Sequence, residues 1–449
     1  MIGDTRIHWV HLRFTGQGPV LEELKVIPVN AGVLDVSQVT TERWVLITDV
    51  DNRVWLWPLL AGSPHHLDLG AESVVSASWI GSRSALVVSA EGDERLIELA
   101  GWPLDAQLAR LFQPIQYEGY SQASYVWQPS PSSANEVAKF NLVPLLSGTL
   151  EAALLALFLS IPVAIGSAIY VGFFLSSRRR AQIKPVIEVI ASFPTVVLSG
   201  LAAVWLVPLV VNNLPQIVGA AILLPLAAFA AIGLPHNTRT SGDRWRRPFI
   251  LCLVLAPAAA ACLWMGVQLG NLAEHVWFDG SLSEWFFQRN IPVSQFNSVI
   301  VGIVLGIAVL PVVFSLAEDA INECPRAAAL GSQALGASQW QSFQDVVLPV
   351  ALPAIISAIM LGLGRAVGET MVFLMLSGNA PDLNLNPMDA VRNLGATLAI
   401  ELPEAAVGDL HFRILFLAAL ILFAATFLVN TVAQVMRYRQ RSKYQDPIG

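Results

Sequence analysis

The chain is 449 residues long, 55% hydrophobic and only 13% charged, with a formal net charge of −7 and a mean hydropathy of +0.59. Soluble globular chains average about 25% charged residues, so this composition excludes a disordered or collagen-like protein and argues against an ordinary soluble enzyme. The acidic balance also argues against a dedicated nucleic-acid binder, which needs a basic surplus.

Residues 1–140 hold much of the charge and alternate short apolar segments with turns. Within them, Asp4-Thr5-Arg6-Ile7, Asp51-Asn52-Arg53-Val54 and Asp93-Glu94-Arg95-Leu96 repeat a D-x-R-aliphatic pattern. Each opens an alternating strand (IHWVHL, VWLWPL, LIEL), and the last two follow the strands WVLITDV and ALVVSA, so each predicts a hairpin with a polar turn. Short-strand repeats at intervals of roughly 45 residues predict four-stranded propeller blades, a small sandwich being the alternative. Met1 falls in mid-blade and no export signal follows it, so the expectation is a C-terminal portion of a longer protein. Leu104, Leu108, Leu111 and Phe112 share one helical face, and Tyr117, Tyr120, Tyr125 and Trp127 follow. These aromatics rest either on a membrane interface or on the edge of the β domain. Residues 1–127 thus form a β-repeat domain with a docking segment, and 128–141 has linker composition.

From about Leu150 onward long apolar runs take over, and a membrane span needs about 20 such residues. Seven runs qualify: Leu150–Leu175, Pro185–Val211, Pro215–Leu234, Pro248–Leu269, Phe296–Leu316, Val350–Leu376 and Ile414–Met436. Seven in succession leave no polar face to surround a soluble core, so the chain is a polytopic α-helical membrane protein. Twelve basic residues fall in alternate loops: Arg178, Arg179, Arg180, Lys184; Arg239, Arg244, Arg246, Arg247; and Arg437, Arg439, Arg441, Lys443. Only Arg289, Arg392 and Arg413 occupy the others. Short cytoplasmic loops retain Lys and Arg, which places the C-terminus and the loop 317–349 in the cytoplasm and the β domain outside.

None of the four lysines (Lys25, Lys139, Lys184, Lys443) follows a glycine, so no Walker A loop exists, and any driving ATPase is a separate chain that binds the ATP and Mg. No cofactor is expected on this chain. Cys252, Cys262 and Cys324 offer no CxxC pair, and His65-His66 is a surface pair or a weak metal candidate.

Loop 317–349 carries ECPRAAALGSQALGASQWQSFQDVVLP. Pro325 suits a first helical position, Arg326–Leu335 is rich in Ala and Leu, and Gly336 ends that helix. Ser338 caps the next, whose apolar face is Trp340, Phe343, Val346 and Val347, and Leu348-Pro349 leads into the membrane. Such an amphipathic helix-turn-helix either lies on the bilayer or inserts into a partner's groove, and its scarcity of basic residues disfavours adsorption. Gly336, nine residues, Val346 and then Leu348-Pro349 resemble the coupling loop of ABC-importer permeases, E-A-A-x3-G-x9-I-x-L-P. The E-A-A positions here are Leu330-Gly331-Ser332, which drop the acidic residue and keep small ones.

The segment IMLGLGRAVGETM (359–371) resembles the phosphate-import permeases of the Pst system, the PstC-type subunit more than PstA. Glu188 with Pro194 (E-x5-P), Gly408–His411 and Leu422–Asn430 match the same family. The resemblance covers roughly 142–211 and 296–436, leaving about 215–269 as an inserted helical hairpin within the permease domain 142–449. It implies a PstA-like second permease subunit, a PstB-like ATPase gripping Pro325, Arg326, Gly331, Ser332, Gly336, Trp340, Leu348 and Pro349, and an external PstS-like phosphate-binding protein. It also implies an inner-membrane location and, for the β domain, an insertion after a first helix upstream of Met1.

Arg365 and Glu369, at i and i+4, are expected on one helix face inside the membrane, where ionised groups are costly unless turned inward. They form either a self-neutralising structural pair or a substrate contact in which Arg365 binds a tetrahedral oxyanion and Glu369 holds Arg365 when the path is empty. Gly362, Gly364 and Gly368 permit close helix packing beside them. Glu188 lies either on the pathway or snorkelled to water. The overall expectation is a permease of about seven transmembrane helices with an N-terminal, all-β, partial propeller-like domain, importing phosphate by alternating access. Sulfate or molybdate import, or a membrane sensor reading a ligand through its β domain, are the alternatives.

Overall fold

The computed structural model describes the ten strands between residues 2 and 98 with 50, 51, 53 and 64 beside them, then 110–130 (without 118, 119 and 121), 138–220, 223, and 246–445 without 384 and 385. The chain divides into two compact units: Met1–Gly148 with Pro381–Asn384 and Thr397–Leu420, and Thr149–Ala380 with Leu385–Ala396 and Ile421–Gly449.

In the first unit the strands form three antiparallel sheets. One joins β1 (Ile2–Gly3), β2 (Arg6–Thr15) and β3 (Gly18–Pro28); the second is a meander of β4 (Val33–Val39), β5 (Trp44–Asp49), β6 (Val54–Pro58) and β7 (His65–Leu67). The third joins β8 (Val74–Trp79), β9 (Ser84–Ser89) and β10 (Glu94–Glu98). All three D-x-R sites fall between paired strands, although Asp4, Thr5, Asn52 and Asp93 themselves lie outside the described residues. The middle hairpin is held by Asp49 rather than by the repeat's Asp51. Asp49 is buried and accepts from the Arg53 backbone N–H (2.9 Å) and the Trp55 indole N–H (3.0 Å), whereas Asp51 is exposed. Strand β5 is buried on both faces and β6 alternates, which gathers Trp44, Leu46, Val54, Leu56, Val74, Ala77 and Val87 into one core. The four strands of the second sheet make one blade's worth.

The described ends of the expected linker 128–141 lie in or beside a short pairing. Trp127–Gln128 (β11) pairs with Lys139–Phe140 (β12), and Trp127, Lys139, Phe140 and Asn141 are all buried. Lys139 Nζ donates to Gln128 Oε1 at 2.8 Å and lies 5.0 Å from the Tyr120 ring and 5.6 Å from that of Tyr117, a desolvated cation over aromatic faces. Leu111 is buried while Phe112 is exposed, and Leu104 and Leu108 lie outside the described residues.

Burial pushes the Tyr117 phenol up to about 12, with nearby Arg110 pulling it down and Tyr120 adding to the rise. Unfolded tyrosine titrates near 10, so the stability Tyr117 contributes is complete below pH 10 and is lost as pH rises through about 12. Two units correspond to about 2–3 kcal/mol. Tyr117→Phe is expected to abolish that extra alkaline loss, read as unfolding free energy at pH 9 and pH 11.

The helices from residue 143 onward belong mainly to the second unit, with 143–148, 397–401 and 410–420 counted in the first. Helix α1 (Val143–Ile169) continues through a π-helical turn (Tyr170–Phe174), and α2 (Ser177–Ala191) follows. Next come α3 (Thr195–Leu201), a second π turn (Ala202–Leu206) and α4 (Val207–Asn212). Beyond them lie α5 (Arg246–Trp277), α6 (Leu282–Gln288), α7 (Ser298–Asn322), α8 (Arg326–Ala334) and α9 (Gln339–Ser342). A third π turn (Phe343–Val347) leads into α10 (Leu348–Val367), then α11 (Met371–Leu376), α12 (Leu394–Glu401) and α13 (Leu410–Gln445). Asn297 caps α7 by accepting the Ile300 N–H at 3.1 Å. A Cβ at Gly302 would lie 2.7 Å from Leu155 Cβ and one at Gly306 3.1 Å from Ala156 O, so small residues let α7 close on α1.

Among the described residues four helices are long and apolar enough to span a membrane: Val143–Phe174, Ser298–Asn322, Gln339–Val367 and Leu410–Arg439. Ser177–Ala191 and Thr195–Val211, bent by 79° between them, make a fifth if taken as one span. The run read as Pro185–Val211 is therefore interrupted at Ser192-Phe193-Pro194, because Pro194 lacks an N–H and bars its predecessor from helical geometry. The expected span Val350–Leu376 likewise stops at Val367. Pro248–Leu269 lies inside α5, and most of Pro215–Leu234 lies outside the described residues. The count of seven is thus not reached among the described residues. Where 214–220 meets α5, Gly219, Gly266 and Gly270 bring backbone against backbone, and Gln216 Nε2 donates to Asn271 Oδ1 and Glu274 Oε2, both at 2.8 Å.

Candidate functional site

The expectation that Arg365 and Glu369 share a helix face is corrected. Helix α10 ends at Val367, and Gly368-Glu369-Thr370 form a break before α11 begins at Met371. Arg365 stands exposed on the last turn of α10, where a cation complements the negative end of the helix dipole. Among the described residues no ion pair or hydrogen bond engages its guanidinium, and none joins it to Glu369 or Glu188. Glu369 is half-buried, and the break is fixed through its backbone: the Glu369 carbonyl accepts from Asn393 Nδ2 at 3.0 Å. Asn393, fully buried, also accepts the Ala396 N–H at 2.7 Å, while Thr149 Oγ1 accepts the Leu394 N–H at 3.2 Å. The break is thus tied to the start of α12 through the Glu369 carbonyl, while the Gly368 and Glu369 N–H groups donate to the Gly364 and Ala366 carbonyls.

The glycines differ among themselves. A Cβ at Gly362 would come within 2.5 Å of Val313 Cγ2 and 3.2 Å of Val309 Cγ1, and one at Gly364 would run into the Asn430 amide of α13. At Gly368 a Cβ would meet only ordinary contacts. Ser357 Oγ donates to the Ala433 carbonyl at 2.6 Å, a second buried link between α10 and α13. Glu188 is exposed on α2.

In the loop between α7 and α10, Pro325 precedes α8 as its cap rather than filling the first turn, and the Arg326 side chain lies outside the described residues. Gly336 takes φ +100°, a left-handed turn that favours glycine, with Leu335 beside it 92% exposed. Ser338 and Gln341 form a reciprocal capping box at the start of α9. Ser332 Oγ and Ser342 Oγ lie 2.8 Å apart and both donate to the Ala329 carbonyl, so α8 and α9 are laced together at the positions of the small-residue pattern. A Cβ at Gly331 would meet nothing. Of the expected apolar face, Phe343 and Val347 are buried, whereas Trp340 is 57% exposed; Leu348 and Pro349 open α10.

One cluster was not foreseen. Glu318, with no exposed side-chain surface, pairs with Arg180 and with Lys184 (3.1 Å), and Lys184 also bonds Asp319. His65 and His66 lie in β7, where the His66 ring meets Trp55 edge-on at 5.2 Å.

The model for the family described as binding-protein-dependent transport system inner membrane component matches residues 160–443. The chain is similar to "Phosphate transport system permease protein PstC 1" of Mycobacterium tuberculosis, 25% identical over 315 residues that cover 70% of this chain and 76% of that protein. It is also similar to "Probable ABC transporter permease protein YqgH" of Bacillus subtilis, 22% identical over 367 residues, 82% of this chain and 92% of that one. With "Phosphate transport system permease protein PstC" of Mesorhizobium japonicum identity reaches 35% over 136 residues, 30% and 41% of the two chains.

Proposed function

Since the chain belongs to the binding-protein-dependent transport system inner membrane components, as a PstC-like ABC permease, we propose that it imports inorganic phosphate by alternating access. The observation that carries this reading is the interruption of α10 at Gly368–Thr370, with Arg365, on the turn before it, engaged by no ion pair or hydrogen bond of its guanidinium among the described residues. Broken helices in transporters are where substrates bind, and a guanidinium matches two oxygens of a tetrahedral oxyanion.

In this reading a second permease subunit completes the pathway, an external binding protein delivers phosphate, and a separate ATPase holds ATP and Mg. That ATPase engages the α8–α9 segment, whose exposed Leu335 and Trp340 fit a groove in a partner. The segment and the C-terminus face the cytoplasm and the β domain lies outside, following the distribution of Lys and Arg.

The test is competition. In cells expressing the complete system, unlabelled phosphate and arsenate are expected to suppress labelled phosphate uptake, with sulfate and molybdate leaving it nearly unchanged. Equal competition by sulfate or molybdate would transfer the assignment to a general oxyanion importer.

A further inference from the structure

Helix α2 has no fully buried residue, although Ile187 packs partly against the helical core. Its polar attachments are charged: Arg180 and Lys184 reach the fully buried Glu318 on the last turns of α7, and Lys184 reaches Asp319. The Glu318 oxygens meet these cations as ion pairs rather than as aligned hydrogen bonds. A carboxylate that far from water is strongly unfavourable unless compensated, so losing its charge or its partners should release the helix.

The π turn just before α2 is tied to a different element. Phe173 lies 5.4 Å from Phe343, and Phe174 lies 6.1 Å from Phe343 and stacks on Trp340 at 6.3 Å. A Cβ at Gly172 would sit 3.2 Å from Ile321 Cγ2, so the same turn also rests on the end of α7. Two π turns, Tyr170–Phe174 and Phe343–Val347, therefore meet through their aromatic side chains, and such turns recur at functional sites. The α1–α2 elbow is thus fastened twice, to the α9 segment by aromatic rings and to α7 by ions.

We infer that the elbow is a transmission arm and that Glu318 is its positioning residue: the Arg180/Lys184–Glu318 clamp makes α2 travel with the α8–α9 segment when a partner displaces it. The inference rests on the proposed ATP-driven function, and it adds a second route by which displacement of α8–α9 reaches the membrane, besides α10.

The experiment uses the assembled complex in proteoliposomes. Glu318→Gln is expected to lower phosphate moved per ATP hydrolysed at least about tenfold, with hydrolysis kept within about twofold of wild type and Glu318→Asp retaining most of the coupling. Spin labels at Gln182→Cys and Gln344→Cys, with Cys252, Cys262 and Cys324 replaced by Ser, are expected to keep one separation in the ATP-free and vanadate-trapped states. In the Glu318→Gln background that separation is expected to change between the states. A label separation indifferent to Glu318→Gln, or uptake and hydrolysis falling in parallel, overturns the inference. Failure of the transport reading looks different: the wild-type complex would move no phosphate, while the label distances need only ATP and vanadate.

Discussion

Phosphate uptake is expected to fall at least about 100-fold when Arg365 is replaced by Gln, with the amount of assembled complex unchanged. Arg365 stands exposed at the end of α10 with no ion-pair partner among the described residues, so its removal leaves none of their buried carboxylates uncompensated and should not unfold the helix. What disappears is a fork of two charge-assisted hydrogen bonds to the anion, each worth about 1.5–3 kcal/mol, and about 2.7 kcal/mol already corresponds to 100-fold. Arg365→Lys keeps the charge without the fork and is expected to fall in between. Glu369→Gln is expected to cost far less, because no ion pair joins the two side chains and Glu369 is fixed through its carbonyl. Initial uptake rates with immunoblots of the membrane fraction separate these cases. Wild-type uptake in Arg365→Gln, with altered signalling, would instead favour a sensor.

The long apolar helices were legible because a run of about 20 apolar residues has few soluble interpretations, and Val143–Phe174, Ser298–Asn322 and Leu410–Arg439 lie where such runs lie. Interruptions within a run were harder to read. Hydropathy is an average over a window, and it passes smoothly over Ser192-Phe193-Pro194 and over Gly368-Glu369-Thr370, where the backbone leaves the helix. Pro194 carried a usable signal, since proline restricts the residue before it. Gly368 carried an ambiguous one: the same residue suits close helix packing and helix termination, and the contacts around it favour termination.

The clamp at Glu318 was missed for a different reason. Arg180 and Lys184 read in the sequence as topology markers, which uses their charge but assigns them no partner. Glu318 falls in the sequence within the loop 317–349, whereas α7 runs on to Asn322 and carries it inside. Two adjacent carboxylates at the end of an apolar run, facing a basic cluster after another, were the available signal. The stretch 128–141 is a contrasting case. Its Ser, Pro and Gln content reads as linker, yet Lys139, Phe140 and Asn141 are buried because the ends of the stretch pair with each other. Composition describes a segment's average and not the strand ends that close it.

Glu401→Ala is expected to destabilise the first unit by roughly 1–3 kcal/mol, the range for leaving a buried hydrogen-bond donor unsatisfied. Glu401 ends α12 and is 6% exposed; its two oxygens accept the buried Trp127 indole N–H at 3.0 and 3.2 Å, and Oε2 lies 2.9 Å from His411 Nε2. The same His411 ring stacks on Phe140 at 5.6 Å, and Phe140 packs edge-on against Trp127 at 5.6 Å. One carboxylate therefore satisfies polar atoms from β11 and from α13 at once, and truncation strands both. The indole N–H suffers more, because Trp127 is only 2% exposed and has no water to turn to. Glu401→Gln is expected to cost much less, since its carbonyl can still accept from Trp127 and its amide can donate to a neutral His411. Trp127→Phe should fall between them, removing one donor while leaving His411 in place. Thermal unfolding of the purified protein in detergent, followed by Trp fluorescence for the Glu401 variants and by circular dichroism for Trp127→Phe, is the measurement. Equal stability of Glu401→Ala and Glu401→Gln would show that the carboxylate position fills space and carries no hydrogen-bonding load.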